Sequence, residues 1–200
     1  MSPDLLALLG VAVCAITGVL EAGRKQIDLF GVLVIALVAA LGGGTLRDLL
    51  LARPVFWVVD HHYLLAALLA GLATFLIARV VRLPARLFLI PDALGLALFT
   101  ISGTRIALDL DAHWLVASLM GVITGVFGGI LRDVLCNEVP LVFSGELYAT
   151  AAWSGALLLV LTRSQDLHGN VALATPTVAV FLIRLAGIHW RIHLPKFSMR

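Results

Sequence analysis

The residues with the clearest chemical potential occur twice, in the segments GGTLRDLL (residues 43–50) and GGILRDVL (residues 128–135). Each segment places a glycine pair just before an adjacent arginine and aspartate, inside a long apolar run. Charged groups at membrane depth are unfavourable unless they are paired or hydrated. Main-chain carbonyls freed at a glycine break are ligands that a dehydrated monovalent cation can use. The doubled motif therefore predicts two related halves around a polar path.

The composition places the chain among integral membrane proteins. Of its 200 residues, 61% are hydrophobic and only 13% are charged, and the mean hydropathy is +1.06. Since one membrane helix needs about 20 apolar residues, the chain has room for roughly seven spans and no soluble domain. The net charge of +2 does not favour nucleic acid as a partner. The two cysteines lie in different apolar segments and predict neither a disulfide nor a metal site.

The polar breaks predict an all-α membrane protein with seven transmembrane helices, called spans 1 to 7 here: residues 4–22, 28–52, 62–81, 88–108, 113–137, 146–163 and 171–188. The basic residues fall unevenly between the two ends of these spans. One side receives Arg24, Lys25, Arg79, Arg82, Arg86, Arg191, Lys196 and Arg200, with Arg184 near the end of span 7, and the other receives Arg53 and Arg163. The positive-inside rule then predicts an external N-terminus and a cytoplasmic C-terminus in an inner (plasma) membrane.

An internal repeat with an offset of 85 residues relates spans 1–3 to spans 4–6. Six of nine positions are identical between residues 42–50 and 127–135, including both charged residues, and Tyr63 matches Tyr148. Because each unit has three spans, the second enters the membrane inverted relative to the first. We therefore expect a first repeat at residues 1–86, an inverted second repeat at 87–165, and a seventh helix with a tail at 166–200.

The glycines of spans 2 and 5 have two interpretations. Glycine weakens a helix by roughly 1 kcal/mol relative to alanine, so Gly42, Gly43 and Gly44 favour a bend or break that exposes main-chain groups. In the alternative, these glycines and Gly128 and Gly129 belong to a face of small residues spaced four apart, which packs one helix closely against another. Both interpretations remain open at this stage.

The charged residues within the spans are balanced, with three arginines and three aspartates: Arg47, Asp48, Asp92, Arg105, Arg132 and Asp133. Because adjacent residues do not face each other on a helix, we expect each charge to find its partner on another helix. The topology suggests the pairs Asp92–Arg132 and Asp48–Arg105. Such pairs either fix the helix register or line and gate a path.

Smaller polar signals are consistent with a path or with the membrane boundary. Hydroxyl groups at Thr17, Thr45, Ser102 and Thr124 either line a narrow path or bond their own backbone. The basic cluster Arg79, Arg82 and Arg86 suits anionic lipid headgroups. His61, His62 and the pair His189–His193 fit a headgroup belt, and we predict no metal site and no cofactor. The sequence contains no common catalytic motif, so we expect no enzyme.

The motifs GGGTLRDLL, GGILRDVL, PDALGLALFTISGTRIAL and GELYATAAWSGALL together resemble the prokaryotic trimeric intracellular cation (TRIC) channel family, whose repeat is also described as a glycine-transporter domain. The resemblance covers about residues 5–185. It implies seven helices with inverted three-helix repeats and a symmetric homotrimer. It also implies a pore in each protomer between spans 2 and 5, where the glycine motifs bend, and K⁺ as the main permeant ion.

Carried over by position, the resemblance assigns the pore bends to Gly42, Gly43, Gly44, Gly128 and Gly129, and the accompanying charges to Arg47, Asp48, Arg132 and Asp133. The second motif departs from three glycines, because Phe127 precedes Gly128. The leading hypothesis is a potassium-permeable channel. The alternatives are a secondary transporter of a small solute such as glycine, which inverted repeats suit equally well, and a structural membrane protein.

Overall fold

The computed structural model describes residues 4–81, 84, 87–144, 147–164 and 170–192. Its long helices are α1 (Leu5–Ala22), α2 (Leu29–Leu50), α4 (His62–Val80), α5 (Leu89–Asp109), α6 (Trp114–Leu135), α7 (Ala149–Ser164) and α8 (Asn170–Trp190). The short helix α3 (Phe56–Val59) follows α2, and the 3₁₀ helix η1 (Leu141–Phe143) follows α6. The described residues contain no β-strand.

The predicted fold class is confirmed. Six of the helices are long and apolar enough to cross a membrane, and α7 supplies a shorter apolar helix over Ala149–Arg163. These seven helices correspond to the seven predicted spans, with ends that differ by a few residues. Helix α3 was not predicted, because five apolar residues between a proline and an aspartate read as a loop.

The two halves share their turn geometry. Left-handed backbone conformations occur at Gln26 (φ 53°) and Ala52 (φ 50°), and again at Asp111 (φ 56°) and Asn137 (φ 53°). The second pair lies 85 residues after the first, the offset of the sequence repeat. Non-glycine residues rarely adopt this conformation, so its recurrence at matched positions shows that the repeats end their helices in the same way.

The second repeat is inverted relative to the first. Asp4, at the N-terminus of α1, forms an ion pair with Arg105 near the C-terminus of α5. At the other end of these helices, Arg132 bonds both Thr17, late in α1, and Asp92, in the first turn of α5. Helices α1 and α5 therefore run antiparallel, as inverted repeats require.

Helices α2 and α6 cross in close contact at the glycine motifs. A Cβ atom added to Gly43 would overlap the carbonyl oxygen of Thr124, and one added to Gly128 would overlap the carbonyl oxygen of Ala39. Both helices remain α-helical through their glycines, so neither motif breaks its helix, and the bend expected there stays a prediction. The close-packing interpretation is confirmed, because only a residue without a side chain allows this approach.

Candidate functional site

A buried ion pair closes the end of α2. Arg47 and Asp48 occupy its last turn, and Arg47 Nε donates to Asp48 Oδ1 at 2.9 Å. The other carboxylate oxygen, Oδ2, accepts the backbone N–H of Phe56 at 2.8 Å and so caps α3. Arg53 Nε lies 3.4 Å from Asp48 Oδ1. Asp48 therefore links the segment that follows α2 to the last turn of α2.

The end of α6 repeats this geometry. Arg132 Nε donates to Asp133 Oδ1 at 2.8 Å, and Asp133 Oδ2 accepts the backbone N–H of Leu141 at 3.0 Å, at the start of η1. Phe56 and Leu141 each follow their aspartate by eight residues. Because α2 and α6 run in opposite directions across the bundle, the two centres lie near opposite faces of the membrane.

These two centres correct the expectation that each charge pairs only with another helix. In each motif the long arginine side chain donates a hydrogen bond to the aspartate that follows it in the chain. The last turn of a helix also carries the negative end of the helix dipole, which favours an arginine there. The motifs therefore lie toward the ends of the spans.

The predicted pair Asp92–Arg132 is confirmed. Arg132 Nη1 donates to Asp92 Oδ1 at 2.7 Å and to Thr17 Oγ1 at 3.0 Å, and all three residues are buried. The predicted pair Asp48–Arg105 is wrong. Both Asp48 oxygens are occupied by its own loop, and Arg105 pairs instead with Asp4.

Most of the predicted hydroxyl groups bond their own helix, as the backbone-bonding interpretation expected. Thr17 donates to Cys14 O at 2.8 Å, Thr45 to Leu41 O at 2.7 Å, and Thr124 to Met120 O at 2.6 Å. Thr45 also accepts from Trp57 Nε1 at 2.9 Å. Ser102 differs, since its buried hydroxyl has no hydrogen-bond partner among the residues that the structure describes.

Several buried polar atoms lie near these helices without a protein partner. Within the described residues they include Asp92 Oδ2, Thr100 Oγ1, Ser102 Oγ, Arg105 Nε and Arg132 Nη2. A Cβ atom on Gly129 would lie 3.1 Å from Tyr148 Oη, 3.8 Å from Arg132 Nη2 and 3.9 Å from Asp92 Oδ1. Buried polar groups are usually satisfied, so unpaired ones indicate places where water or an ion completes the coordination.

An apolar groove of about 400 Å³ lies on another side of the α2–α6 contact. Its wall includes Gly42, Thr45, Trp57, Phe127 and Leu131. Because aliphatic and aromatic side chains dominate this wall, the groove suits hydrocarbon better than a hydrated ion.

The structure buries two charged residues that the sequence does not single out as functional candidates. Two of the predicted lipid-contacting residues lie outside the described residues. Glu21 is buried and pairs with Arg24 at 3.0 Å, although it stands in a segment that reads as a loop. Arg184 is buried, with its guanidinium 4.8 Å from the centre of the Tyr148 ring. The sequence places it only among the basic residues of the cytoplasmic side, near the end of span 7. Arg79, in the last turn of α4, is exposed, whereas Arg82 and Arg86 lie outside the described residues.

Comparison with known protein families divides the chain into the same two repeats. A family model described as Glycine transporter matches residues 4–79 and again residues 89–164. The chain is 43% identical over 200 residues to a UPF0126 membrane protein of Vibrio cholerae, covering 98% of this chain and 82% of the relative. It is 44% identical over 199 residues to the UPF0126 inner membrane protein YadS of Escherichia coli strain K12, covering 97% and 95%.

Solved structures give the same result. The TRIC channel orthologue from Rhodobacter sphaeroides superposes with a TM-score of 0.89 at 41% identity, covering 94% of this chain and 97% of that one. A second TRIC cation channel structure superposes with a TM-score of 0.86 at 32% identity, covering 100% and 99%. The chain therefore belongs to the prokaryotic trimeric intracellular cation (TRIC) channel family, together with the UPF0126 membrane proteins.

Proposed function

We propose that this protein is a monovalent cation channel, with K⁺ as the main permeant ion and a path inside each protomer beside the α2–α6 crossing. The observation that carries the proposal is the set of unpaired polar atoms inside an apolar bundle. Ser102 and Thr100 lie on α5, which packs against α6 where Gly103 meets the Thr124 hydroxyl. Gly43 of α2 meets the carbonyl of the same threonine. Helices α2, α5 and α6 thus converge at Thr124, next to atoms that need a polar partner.

The sign of the buried charge favours a cation. The buried charged residues of the described chain are Glu21, Arg47, Asp48, Asp92, Arg132, Asp133 and Arg184. Four buried carboxylates thus stand against three buried guanidinium groups, an interior excess of one carboxylate, because the cation paired with Glu21 is Arg24, which is 45% exposed. Inside a low-dielectric bundle, such an excess attracts a cation more strongly than it would in water. The arginines are also mostly paired, which limits their repulsion of a permeant cation.

The glycine motifs then have a mechanical role. Gly43 and Gly128 bring α2 and α6 together at the crossing, so conduction requires these helices to separate or bend there, and Gly42, Gly44 and Gly129 complete the flexible segments. The hydroxyls of Thr17, Ser102 and Thr124 supply oxygen ligands along the route, whereas Thr45 lies in the wall of the apolar groove. The centres at Arg47–Asp48 and Arg132–Asp133 lie at its two ends. Asp92 links the second centre to α5, and Arg105 of α5 pairs with Asp4 at the start of α1.

The similar structures support this assignment, because they are described as TRIC cation channels, one of them as a structure that explains conductance. The same description of those proteins as trimeric supports a homotrimer here. Exposed apolar residues on α4, including Leu65, Leu69, Leu72 and Leu76, supply a surface for lipid or for a neighbouring protomer. The relative YadS is described as an inner membrane protein, which supports the same membrane for this chain.

The proposed orientation places the N-terminus outside and the C-terminus in the cytoplasm. Arg24 and Lys25 follow α1, Arg79 ends α4 and Arg191 follows α8. Alternating spans would bring these three helix ends to one face, which supports this orientation. Lys25 bonds Glu138 at 2.6 Å at this face. Arg79 stands there among the basic residues proposed to meet lipid headgroups.

Single-channel recording tests the proposal. Purified protein in a planar bilayer should give unitary current steps in symmetric KCl. In KCl on one side and NaCl on the other, the reversal potential should show preference for K⁺. Protein that is folded and inserted yet gives no unitary current would contradict the channel assignment.

A transporter of a small solute is the second candidate, favoured by the description of the matching family model as Glycine transporter. A carrier turns over too slowly to give resolvable unitary steps. Uptake of radiolabelled glycine into proteoliposomes, with no unitary current from the same preparation, would favour the carrier. Current steps without glycine uptake favour the channel.

A further inference from the structure

A separate cluster of polar side chains lies between α3 and α4, away from the interior charges. It consists of Asp60, His61 and His62, which are consecutive in the chain. Each offers one ligand atom, and the three atoms all lie within 4.8 Å of one another. Both histidines are exposed, and Asp60 is partly exposed. An ion from solution therefore reaches all three without any opening of the bundle.

Hydrogen bonds already hold this cluster in a compact arrangement. Asp60 Oδ1 accepts the backbone N–H of His62 at 3.0 Å and lies 2.5 Å from His62 Nδ1. The rings of His61 and His62 are stacked, with centroids 4.5 Å apart and planes inclined by 27°. These contacts limit the arrangements open to the three side chains, so only small rotations separate them from a common ligand geometry, and such partial pre-organisation raises affinity.

The donor set determines which ion suits the cluster. Two imidazole nitrogens and one carboxylate oxygen match the three protein ligands of open zinc sites, where water takes the fourth position. Imidazole also suits Cu²⁺ and Ni²⁺, whereas Ca²⁺ and Mg²⁺ prefer oxygen ligands. Zinc bonds of about 2.0–2.2 Å place tetrahedral ligand atoms roughly 3.3 Å apart. Rotations of exposed side chains are sufficient to bring atoms within 4.8 Å to that spacing.

The position of Asp60 in the chain also suits a cation. The N-terminus of α4 opposes a cation, because its helix dipole is positive there. The negative charge of Asp60, just before that helix, offsets this effect.

We propose that Asp60, His61 and His62 form a binding site for a divalent transition metal of the Zn²⁺ class at the α3–α4 corner. Bound metal holds this corner in one conformation. The corner is also connected to the end of α2, because Asp48 caps α3 through the Phe56 N–H and Trp57 bonds Thr45. A metal ion at this site therefore stiffens the segment that closes one end of the α2–α6 crossing.

Titration of purified, tag-free protein with Zn²⁺ tests the proposal. Isothermal titration calorimetry should give one equivalent per chain with a micromolar dissociation constant. The substitutions His61→Ala, His62→Ala and Asp60→Asn should each weaken binding at least tenfold, while thermal melting in detergent stays unchanged. His113→Ala is the matched control, since His113 is an exposed histidine at the N-cap of α6 and should leave binding intact.

The number of nitrogen ligands can be measured by spectroscopy. With Cu²⁺ as the probe, electron paramagnetic resonance should show coupling to two nitrogen nuclei, falling to one in either histidine variant. No saturable Zn²⁺ uptake, or uptake that survives all three substitutions, would overturn the proposal. Because these measurements need no current, their failure would leave the channel assignment untouched.

Discussion

Arg132 donates a hydrogen bond from Nη1 to Asp92 Oδ1 at 2.7 Å, which joins the last turn of α6 to the first turn of α5. The two side chains are 1% and 5% exposed. Within the described residues, the first repeat has no corresponding ion pair, because Ala7 occupies the position that matches Asp92. The two halves therefore share the arginine–aspartate loop but differ in how firmly its helix is held to a neighbour.

The buried ion pair between Arg132 and Asp92 predicts a large loss of stability for Arg132→Met. The substitution leaves the carboxylates of Asp92 and Asp133 buried without their cation. Removal of one partner from a buried ion pair typically costs about 3–5 kcal/mol. Unfolding in a mixed detergent titration, followed by circular dichroism, measures the difference.

The control for this experiment is Arg163→Met. Arg163 pairs with Asp109 at 2.6 Å, but both side chains are about half exposed. Exposed pairs contribute about 0–1 kcal/mol, so this variant should unfold nearly as the wild type does. Equal losses in the two variants would show that burial does not set the strength of the Arg132 pair.

The glycine contacts predict that even a methyl group disturbs the α2–α6 crossing. Gly43→Ala and Gly128→Ala each place a Cβ on a backbone carbonyl of the opposite helix, which no side-chain rotation relieves. Overpacking of this kind costs about 1–3 kcal/mol. Both variants should melt at lower temperature in detergent.

Gly71→Ala is the matched control within another span. Its added Cβ would meet Ala36 Cβ at 3.4 Å and Leu33 Cδ2 at 3.5 Å, which are ordinary contacts. Because alanine favours a helix by about 1 kcal/mol over glycine, this variant should be as stable as the wild type or more stable. If all three variants behave alike, the glycines do not act through close approach.

The sequence predicted the fold class and one of the two proposed ion pairs for identifiable physical reasons. Apolar run length sets the number of spans, and the 85-residue repeat sets their inversion. Asp92 starts one span at the face where Arg132 ends another, so topology alone brings them together. The pair Asp48–Arg105 is absent because bonds within eight residues of Asp48 satisfy its carboxylate first. Arg105 pairs instead with Asp4, which lies at the very start of span 1.

The role of the glycines could not be settled from the sequence, because the same residue type permits a break and a close approach. The decisive information is which atom lies opposite each glycine, and that depends on tertiary packing. For Gly43 the opposing atom is a carbonyl oxygen of α6. The unpaired hydroxyl of Ser102 was likewise indistinguishable from its bonded counterpart Thr17, which accepts a bond from Arg132.

The environment of Cys136 predicts slow thiol chemistry at neutral pH. This residue follows α6 and is 2% exposed. Burial, with Glu21 nearby, raises the pKa of its thiol to about 11, against an ordinary value of about 8.5. Since the thiolate is the reactive form, its fraction at pH 8 is far below that of a free cysteine.

Alkylation rates measure this shift. In a Cys14→Ala background, reaction of Cys136 with iodoacetamide should stay slow at pH 8 and rise as the pH approaches 11. Denatured protein should instead react with a midpoint near 8.5. Rapid labelling of the folded protein at pH 8 would contradict both the burial and the raised pKa.

The buried charge balance predicts that Asp92→Asn lowers cation preference. The isosteric change retains Asp133 as a partner of Arg132 and removes the excess negative charge. At an effective dielectric constant of about 20, one charge about 10 Å from the path is worth about 1.7 kcal/mol, which corresponds to a change of more than tenfold in relative permeability. The reversal potential in a KCl gradient should therefore shift toward zero.

The matched control is Asp109→Asn, which removes one negative charge from an exposed pair at the end of α5. Solvent and salt screen that charge, so its removal should leave the reversal potential unchanged. If Asp92→Asn keeps the wild-type potential while still conducting, the interior carboxylates do not set the selectivity. The negative excess would then serve helix packing alone, and the preference for cations would have to arise from the hydroxyl and carbonyl dipoles around Thr124.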